Sequence, residues 1–272
     1  MSRAMTREIL AGVPEALWQR VAGASSRLLM LDYDGTLAPF EERRDEARPL
    51  PGAIELLERV SAGAGTIVAV ISGRHLDELE RRLGRLPIQI VGEHGWEARR
   101  PDGRRVTHEP PEGCRAALER AAQAAAARGW ARRLERKRTA VAVHTRGLPA
   151  SEAEEMEETC RRLWEPEARG GVLRLRGMNG GVEIGAAGRD KATAVRDLVR
   201  ELPAGAPAVY VGDDETDEDA FRELRGSGFG VRVGHSGRPT LASGEIPSPG
   251  AVLLFLDRWL EAALEERKGG RA

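Results

Sequence analysis

The most regular feature of the chain is a series of short, uninterrupted apolar runs, each bounded by Gly, Asp or Pro. Apolar runs that do not alternate with polar residues are typical of strands buried on both faces of a parallel sheet. The pattern therefore predicts core strands at residues 27–31, 66–71, 88–91, 207–212 and 229–234.

Between these runs, apolar residues recur at helical spacing. In residues 53–62, for example, Ile54, Leu57 and Val60 would share one face of a helix. Because strands that alternate with helices form an open sheet covered on both faces, we predict an α/β fold with a doubly wound, Rossmann-like parallel sheet. The same spacing predicts further helices over residues 75–84, 191–202 and 251–268.

Residues 112–183 break this rhythm. Two helical patterns, at 113–128 and 151–165, are combined with segments in which apolar and polar residues alternate. Alternation is typical of an antiparallel sheet with one solvated face. We therefore predict a small α/β cap domain at 112–183, inserted into a core made of residues 1–111 and 184–272. The alternating segments are residues 130–136, 139–146, 171–176 and 181–185.

Composition narrows the class of protein. Of 272 residues, 41% are hydrophobic, and 42 Lys and Arg nearly balance 43 Asp and Glu, so no overall charge would attract nucleic acid or an anionic membrane. The apolar runs are too short to span a bilayer and the N-terminus resembles no signal peptide, so we expect a cytoplasmic protein. Cys114 and Cys160 lack metal-ligand spacing and are expected as free thiols, with a single disulfide as the alternative.

Polar side chains that can do chemistry follow the predicted core strands or begin the next helix. In an open α/β sheet, ligands bind outside the carboxyl ends of the strands, so these side chains should meet at one edge. The set comprises Asp32, Asp34, Ser72, Arg74, Lys191, Asp213, Asp214 and Asp217.

The residue types in this set fit phosphoryl transfer. Carboxylates packed together repel one another, and a divalent cation with a preference for oxygen ligands, such as Mg²⁺, removes the conflict. A carboxylate at the end of a rigid strand, here Asp32, can act as a nucleophile and form an acyl phosphate. Asp34 lies on the same side of an extended chain and can transfer protons. Ser72 and Lys191 suit the phosphate oxygens.

Each signal also has a simpler explanation. The segment DYDGT could be a solvated turn, and Ser72 could end a strand and cap a helix. Lys191 could be a surface lysine, and the acidic run GDDETDED could favour a helix N-terminus. The site is favoured because the four signals occur together, each at a strand or helix end, in one chain order.

Taken in order, DYDGTL, SGR, the lysine of GRDKA and GDDETDE resemble the motif set of the haloacid dehalogenase-like hydrolases. Further segments are similar to the trehalose-6-phosphate phosphatase family: VISGR, GEHG, LERKRTAVAVHTR, RGMNGGVEI and YVGDDETDEDAF. The resemblance extends from about residue 25 to about residue 260. It implies a Mg²⁺-dependent phosphatase that hydrolyses trehalose 6-phosphate through an aspartyl-phosphate, the last step of trehalose biosynthesis.

The resemblance also implies a role for each matched residue. Asp32 would be the nucleophile and Asp34 the general acid and base, while Ser72 and Lys191 would hold the phosphoryl group. The metal would be held by Asp32, the backbone carbonyl of Asp34 and Asp213, with the two remaining acids of the set nearby. The implied metal site thus consists of Asp32, Asp34, Asp213, Asp214 and Asp217. The implied substrate-binding residues are Arg74, Glu93, His94, Glu135, Lys137, His144, Arg146 and Glu183.

The identity of the substrate depends on the cap residues, and these have a simpler explanation, since charged side chains on the solvated face of a sheet need no ligand. Arg138 stands where the family usually has glycine, and Thr145 where it usually has tyrosine. The alternatives are therefore a phosphatase for sucrose 6-phosphate, glucosyl-3-phosphoglycerate or mannosyl-3-phosphoglycerate, or a non-catalytic sugar-phosphate sensor. We expect a small-molecule substrate as the ligand and take a monomer as the working assumption.

Overall fold

The computed structural model describes residues 3–41, 43–63, 65–235 and 237–269. The terminal residues 1, 2 and 270–272 of the predicted core lie outside this range. Numbered along the chain, the strands are β1 (Arg27–Leu31), β2 (Thr66–Ile71), β3 (Gln89–Gly92), β4 (Glu97–Arg99), β5 (Arg105–Thr107), β6 (Leu134–Arg136), β7 (Ala140–His144), β8 (Leu173–Met178), β9 (Gly181–Ala186), β10 (Ala208–Gly212), β11 (Phe229–Val233) and β12 (Gly244–Ile246).

The α-helices precede, separate and follow these strands, and two short 3-10 helices span Glu93–Gly95 and Ala131–Arg133. The α-helices are α1 (Arg3–Ile9), α2 (Glu15–Ala22), α3 (Ala53–Ala62), α4 (Leu76–Leu83), α5 (Cys114–Ala127), α6 (Ala150–Arg169), α7 (Lys191–Arg200), α8 (Asp217–Leu224) and α9 (Pro249–Gly269). Within the described ranges, none of them combines the length and apolar character that crossing a bilayer requires.

The larger sheet has the strand order β12-β11-β10-β1-β2-β3-β4-β5. The strands from β12 to β3 are parallel, and β4 and β5 add an antiparallel edge. Alternate residues of β1 pack on opposite faces: Leu29 and Leu31 in one hydrophobic cluster, Leu28 and Met30 in another. This two-sided burial is what the unalternating apolar runs predict, and the predicted fold class is confirmed.

Register in the parallel sheet determines where the polar residues meet. Leu31, the last residue of β1, lies opposite Val70 of β2 and Val211 of β10. Because parallel strands end at the same edge, Asp32 and the residues that follow β2 and β10 come together there. Asp190 caps the start of α7 by accepting a hydrogen bond from Thr193 N at 2.9 Å, which puts the next residue, Lys191, at the same edge.

The smaller sheet has the antiparallel order β6-β7-β9-β8 and packs on α5 and α6. Trp164 Nε1 joins the two helices by donating a hydrogen bond to the carbonyl oxygen of Ala121 at 2.9 Å. Cys114 and Cys160 are both buried as free thiols, as expected. The last strand of this sheet runs to Ala186, three residues beyond the predicted end of the cap.

One predicted strand is shorter than the pattern suggested. Residues 130–136 were expected to be extended, but only Leu134–Arg136 form a strand. Gly129 adopts a positive φ of 84° after α5, and Trp130 N donates to the carbonyl oxygen of Ala125. The first residue of the segment therefore provides a hydrogen bond to a free carbonyl oxygen at the C-terminus of the helix, and the strand begins after it.

Candidate active site

Asp32 lies directly after β1 and is only 4% exposed. Its backbone N donates a hydrogen bond to the carbonyl oxygen of Val211 at 2.8 Å, so the sheet holds it in place. Lys191 Nζ lies 2.9 Å from Asp32 Oδ1 and 2.5 Å from Asp217 Oδ1, and both partners are buried. The lysine therefore lies between two carboxylates at the end of the central strands.

Asp217, the second carboxylate beside Lys191, also binds the acidic loop. Its Oδ2 accepts hydrogen bonds from the backbone N of Asp213 at 2.9 Å and of Asp214 at 2.8 Å. Its Oδ1 accepts from Tyr210 Oη at 2.6 Å and from Lys191. Because both oxygens are used in this way, Asp217 holds the acidic loop and orients the lysine.

The electrostatics of this group are unbalanced. Burial raises the pKa of Asp32 to about 8, and the charge of Lys191 opposes that rise only in part. Burial, followed by repulsion from Asp32 and Asp217, raises the pKa of Asp213 well above its usual range. Conversely, the carboxylates of Asp217 and Asp32 raise the pKa of Lys191 despite its burial. The site holds more acidic groups than one lysine can neutralise, as at a cation site.

The donor set fits a divalent metal. Carboxylate oxygens of Asp32, Asp213 and Asp217 lie within 4.8 Å of one another. The backbone makes room for this closeness, since Gly35 has a φ of 75° and a Cβ at that position would overlap the Asp213 carboxylate. Hard oxygen ligands grouped in this way are those that Mg²⁺ and related cations prefer.

Asp34 is held differently from Asp32. Arg74, which is fully buried, donates from Nε to Asp34 Oδ2 at 2.7 Å and from Nη2 to Oδ1 at 2.6 Å. Burial alone would raise the pKa of Asp34, but these hydrogen bonds and the charge of Arg74 lower it below its usual value. Two acids that are two residues apart thus have pKa values shifted in opposite directions.

Ser72 and His94 complete the core side. Ser72 Oγ accepts a hydrogen bond from the backbone N of Arg74 at 3.2 Å, which leaves the hydroxyl proton available to a ligand. His94 is in the left-handed region with a φ of 56°, and its ring packs against Gly73, where a Cβ would overlap it. Glycine at 73 thus lets the histidine ring approach the strand end.

A cleft lies between the core and the cap at this point. Most of the predicted site residues line it: Asp32, Asp34, Ser72, Arg74, His94, Lys137, His144, Arg146, Glu183, Lys191, Asp213 and Asp214. Three predicted residues do not belong to the lining: Glu93, Glu135 and Asp217.

On the cap side, Lys137 and Glu183 form a buried ion pair. Lys137 Nζ lies 2.6 Å from Glu183 Oε2, and both side chains are about 5% exposed or less. His94 Nε2 approaches the other oxygen of Glu183 at 3.4 Å. Burial would raise the pKa of Glu183, but the charges of Lys137 and His94 lower it well below its usual range. This pair connects the cap sheet to the histidine of the core.

Glu93 and Glu135, predicted to bind substrate, join the core to the cap in the structure, and their role in substrate binding stays a prediction. Glu93 accepts hydrogen bonds through Oε2 from the backbone N and hydroxyl of Thr139, and its Oε1 lies 2.7 Å from His75 Nδ1. Glu135 pairs with Arg44 of the core through Oε1, and its Oε2 lies 2.8 Å from His144 Nε2. Burial would raise the pKa of Glu135, but the His144 hydrogen bond and nearby cations lower it.

Two further contacts close the rim. The Arg146 guanidinium lies 3.9 Å from the centre of the Phe40 ring, and its Nη1 donates to the carbonyl oxygen of Glu41 at 3.0 Å. Asp214 accepts a hydrogen bond from the backbone N of Asn179 in the turn between β8 and β9, at 3.1 Å. The cap is therefore docked on the core around much of the cleft.

Several residues of the lining were not predicted individually. Arg176 and Asn179 lie in RGMNGG, a segment already noted for its resemblance, which was the available signal. Arg44 and Phe40 lie in an irregular loop after β1, where neither periodicity nor a motif distinguishes them from surface residues. Only the packing of the cap on that loop brings these two side chains to the cleft.

Comparison with known proteins agrees with this geometry. The bifunctional trehalose-6-phosphate synthase/phosphatase of Thermoproteus tenax is 37% identical over 224 residues, which cover 81% of this chain and 30% of that protein. The trehalose-phosphate phosphatase of Mycolicibacterium paratuberculosis is 33% identical over 260 residues, 89% of this chain and 63% of that protein. The chain thus spans less than two thirds of the length of either relative.

A solved structure gives the same fold. The C-terminal domain of trehalose-6-phosphate phosphatase from C. albicans matches with a TM-score of 0.79 over 90% of this chain and 96% of that one, at 21% identity. The family model described as trehalose-phosphatase matches residues 30–243, a span that includes Asp32, the whole cap and the acidic loop. The chain therefore belongs to the trehalose-phosphatase family.

Proposed function

We propose that the chain is a Mg²⁺-dependent phosphatase that hydrolyses trehalose 6-phosphate to trehalose and phosphate through an aspartyl-phosphate intermediate. The observation that carries the proposal is the pair of acids at the floor of one cleft. Asp32 is held by the buried Lys191, and Asp34 is held by two hydrogen bonds from Arg74. Membership of the family, whose relatives carry trehalose-phosphate phosphatase names, supports the substrate.

Magnesium would be held by the carboxylates of Asp32 and Asp213 and the backbone carbonyl of Asp34, with Asp214 beside them. When bound, it would neutralise the surplus of carboxylates and the charge of the phosphoryl oxygens. Asp217 is within reach of this group, but its oxygens already accept four hydrogen bonds, so we propose that it acts by positioning Lys191 and the acidic loop.

In the first step Asp32 attacks phosphorus, a bond forms between its carboxylate oxygen and phosphorus, and the bond to the sugar oxygen breaks. Asp34 gives its proton to that oxygen. Lys191 and Ser72 hold the phosphoryl oxygens. Because Arg74 favours the ionised form of Asp34, we propose that this pair loosens when the sugar phosphate enters, and that Asp34 then takes up from solvent the proton that it gives to the sugar oxygen.

In the second step Asp34, now a carboxylate, takes a proton from water while the water oxygen attacks phosphorus. The bond between phosphorus and Asp32 breaks and phosphate leaves. Asp34 then releases its proton to solvent, so both acids return to their starting state. The lowered pKa of Asp34 suits this half of the reaction, since a general base must be ionised at neutral pH.

The polar character of the cleft supports a sugar as the leaving group. Among the described residues, His94 Nδ1, His144 Nδ1, Arg146 Nε and Arg176 Nε are buried without a hydrogen-bond partner, and all four residues line the cleft. Buried polar atoms normally have partners, so these nitrogens suit a ligand with many hydroxyl groups.

We also propose that the chain be divided after Ala186, so that the whole four-stranded sheet belongs to the cap.

The decisive experiment is a phosphate-release screen with trehalose 6-phosphate, sucrose 6-phosphate, glucosyl-3-phosphoglycerate and mannosyl-3-phosphoglycerate in the presence of Mg²⁺. We expect the highest kcat/KM for trehalose 6-phosphate. Asp32→Asn should lower kcat by more than about a thousandfold, because an amide is a poor nucleophile. Asp257→Asn is the matched control, since that aspartate is exposed on α9 and far from the cleft.

The screen also separates the alternatives. A preference for another sugar phosphate would keep the proposed mechanism and change the substrate, because the core residues carry the chemistry and the cap residues select the sugar. Phosphate release at background level for every compound, unchanged by EDTA, would favour a sugar-phosphate sensor. Wild-type turnover by Asp32→Asn would exclude the aspartyl-phosphate mechanism.

A further inference from the structure

We propose that Arg44 is a positioning residue that makes the orientation of Asp34 depend on docking of the cap. The inference rests on the function proposed above, in which Asp34 moves the proton and the cap encloses the sugar phosphate. Arg44 lies in the irregular loop between β1 and α3, outside every motif by which the family was recognised.

The side chain of Arg44 reaches the cap. Its Nη1 donates to Glu135 Oε1 on β6, and both side chains are about four-fifths buried, with exposures of 19% and 23%. Glu135 is itself held from within the cap, because its second oxygen lies 2.8 Å from His144 Nε2 on β7. An ion pair shielded in this way is stronger than one at the surface. Arg44 therefore meets a rigid part of the cap.

The main chain of Arg44 reaches the acid–base pair. Its carbonyl oxygen accepts a hydrogen bond from Arg74 Nη2 at 2.7 Å, and the same nitrogen donates to Asp34 Oδ1 at 2.6 Å. Arg74 is fully buried. A shift of the Arg44 carbonyl therefore moves one of the two donors that orient the carboxylate.

The rest of the loop is tied to the core in another place. The carbonyl oxygen of Ala47 accepts hydrogen bonds from Arg82 Nη1 at 2.7 Å and from Tyr33 Oη at 3.3 Å. Among the described contacts, position 44 is held through Arg74 on one side and Glu135 on the other. Losing the pair with the cap should therefore loosen position 44 while the end of the loop at Ala47 stays in place.

The test is a double-mutant cycle with Arg44→Met, Glu135→Gln and the double variant, assayed for kcat and KM on trehalose 6-phosphate. We expect Arg44→Met to lower kcat by about ten- to a hundredfold, the scale expected for a misplaced catalytic group. KM should stay within about twofold, Arg44→Lys should restore part of kcat, and the double variant should be no slower than the slower single one. Arg43→Met is the matched control, since Arg43 is exposed and pairs only with Asp45 and Glu46 among the described contacts.

A second readout does not depend on the substrate. Hydrogen–deuterium exchange of the backbone amides of residues 43–48 should become about five- to tenfold faster in Glu135→Gln, although the change lies in the cap. Glu119→Gln, which breaks an exposed ion pair with Arg136 on the outside of the cap, should leave that exchange unchanged.

These outcomes decide the proposal. It is overturned if Arg44→Met raises KM and leaves kcat unchanged, because Arg44 then binds the substrate directly. It is also overturned if the two single effects add fully, or if exchange in the loop does not respond to Glu135→Gln. Failure of the proposed function would look different: the wild-type protein would not hydrolyse trehalose 6-phosphate. The exchange experiment would still decide the coupling, and the cycle would be run on whichever compound the screen identifies.

Discussion

The two walls of the cleft, one formed by the core and one by the cap, differ in how their buried carboxylates are balanced by cations. The core wall places the carboxylates of Asp32, Asp213 and Asp217 around the single cation of Lys191. On the cap wall the one buried carboxylate, Glu183, pairs with Lys137, and the guanidinium groups of Arg146 and Arg176 also line the cleft. The core therefore carries a surplus of buried negative charge, and the cap does not.

The difference indicates what each wall contributes. A surplus of buried carboxylates is unfavourable unless a cation joins them, so the core wall suits metal binding and phosphoryl transfer. The cap wall has one buried carboxylate, which is already paired, so it gains little from a metal cation; its contribution is the orientation of hydrogen-bonding groups toward the ligand. Catalysis and sugar selection should therefore respond differently to the same kind of substitution.

The largest effect should come from removing a proposed metal ligand on the core wall. Asp213→Asn should lower kcat by more than about a thousandfold and abolish the rise in Tm on adding Mg²⁺, because a cation that binds only the folded state stabilises it. Glu183→Gln should keep the Mg²⁺-dependent rise in Tm and lose affinity for the sugar phosphate. Thermal unfolding with and without EDTA measures the Mg²⁺ response of both variants. A Mg²⁺ response that disappears in Glu183→Gln would contradict the assignment of metal binding to the core wall.

The next effect concerns the two buried lysines. Lys191→Met should destabilise the metal-free protein by about 3–5 kcal/mol, because it leaves the carboxylates of Asp32 and Asp217 without a countercharge. Lys137→Met should cost about 1–3 kcal/mol, because His94 remains beside Glu183. Urea unfolding gives both values. Equal costs would mean that the two walls differ less in charge than their contacts indicate.

A smaller effect should follow from closing the space beside the acidic loop. Gly35→Ala meets both an unfavourable positive φ and the Asp213 carboxylate. Gly52→Ala is the matched control, with a φ of 87° and no atom within 4 Å of the added Cβ. Each should lose about 1–2 kcal/mol of stability from the backbone alone, and only Gly35→Ala should also lower kcat. An equal loss of kcat in both variants would contradict the close approach inferred for Asp213.

The smallest effect is a pH dependence at the junction of the walls. The hydrogen bond to Glu93 raises the pKa of His75 above its ordinary value of 6.5. The folded state then binds this proton more tightly, so the stabilisation is complete below about pH 6.5 and is lost as pH rises through the raised pKa. His75→Gln should flatten the fall in the free energy of unfolding above that pH, by less than about 1 kcal/mol for so exposed a histidine.

His108→Gln gives the opposite sign as a control. Burial lowers the pKa of His108, so the unfolded chain binds its proton more tightly and stability rises with pH from the lowered pKa up to about 6.5. Removing that histidine should take away this rise. Urea unfolding between pH 5.5 and 8.5 measures both slopes, and the same slope change in the two variants would contradict the opposite pKa shifts of the two histidines.

Much of the core could be predicted because its signals are local. The strands at Arg27–Leu31 and Thr66–Ile71 coincide with the predicted runs, since most of their positions are apolar and buried. The resemblance rests on motifs at the ends of these strands and is confirmed by the family match over residues 30–243. The short edge strands β4 and β5 were not predicted, because three residues are too few to show a period.

The cap residues were harder to assign for a physical reason. Lys137 and Glu135 lie two residues apart in the sequence, and both were predicted to bind the sugar. In the structure the first lines the cleft, whereas the second is taken up by Arg44 and His144. A charged residue on a wet sheet face carries no local signal of its partner, since the partner belongs to a distant part of the chain.

By itself, the sequence determined the alternation of buried strands and helices, the inserted cap and the acids that follow the central strands, because backbone periodicity and strand ends are local properties. Tertiary structure alone decided how each charge is used. It placed Lys191 between Asp32 and Asp217, gave Asp34 to Arg74, and brought Arg44 from an unremarkable loop to the cap. A pKa and an ion pair depend on distance and burial, and these exist only once segments far apart in the chain have packed together.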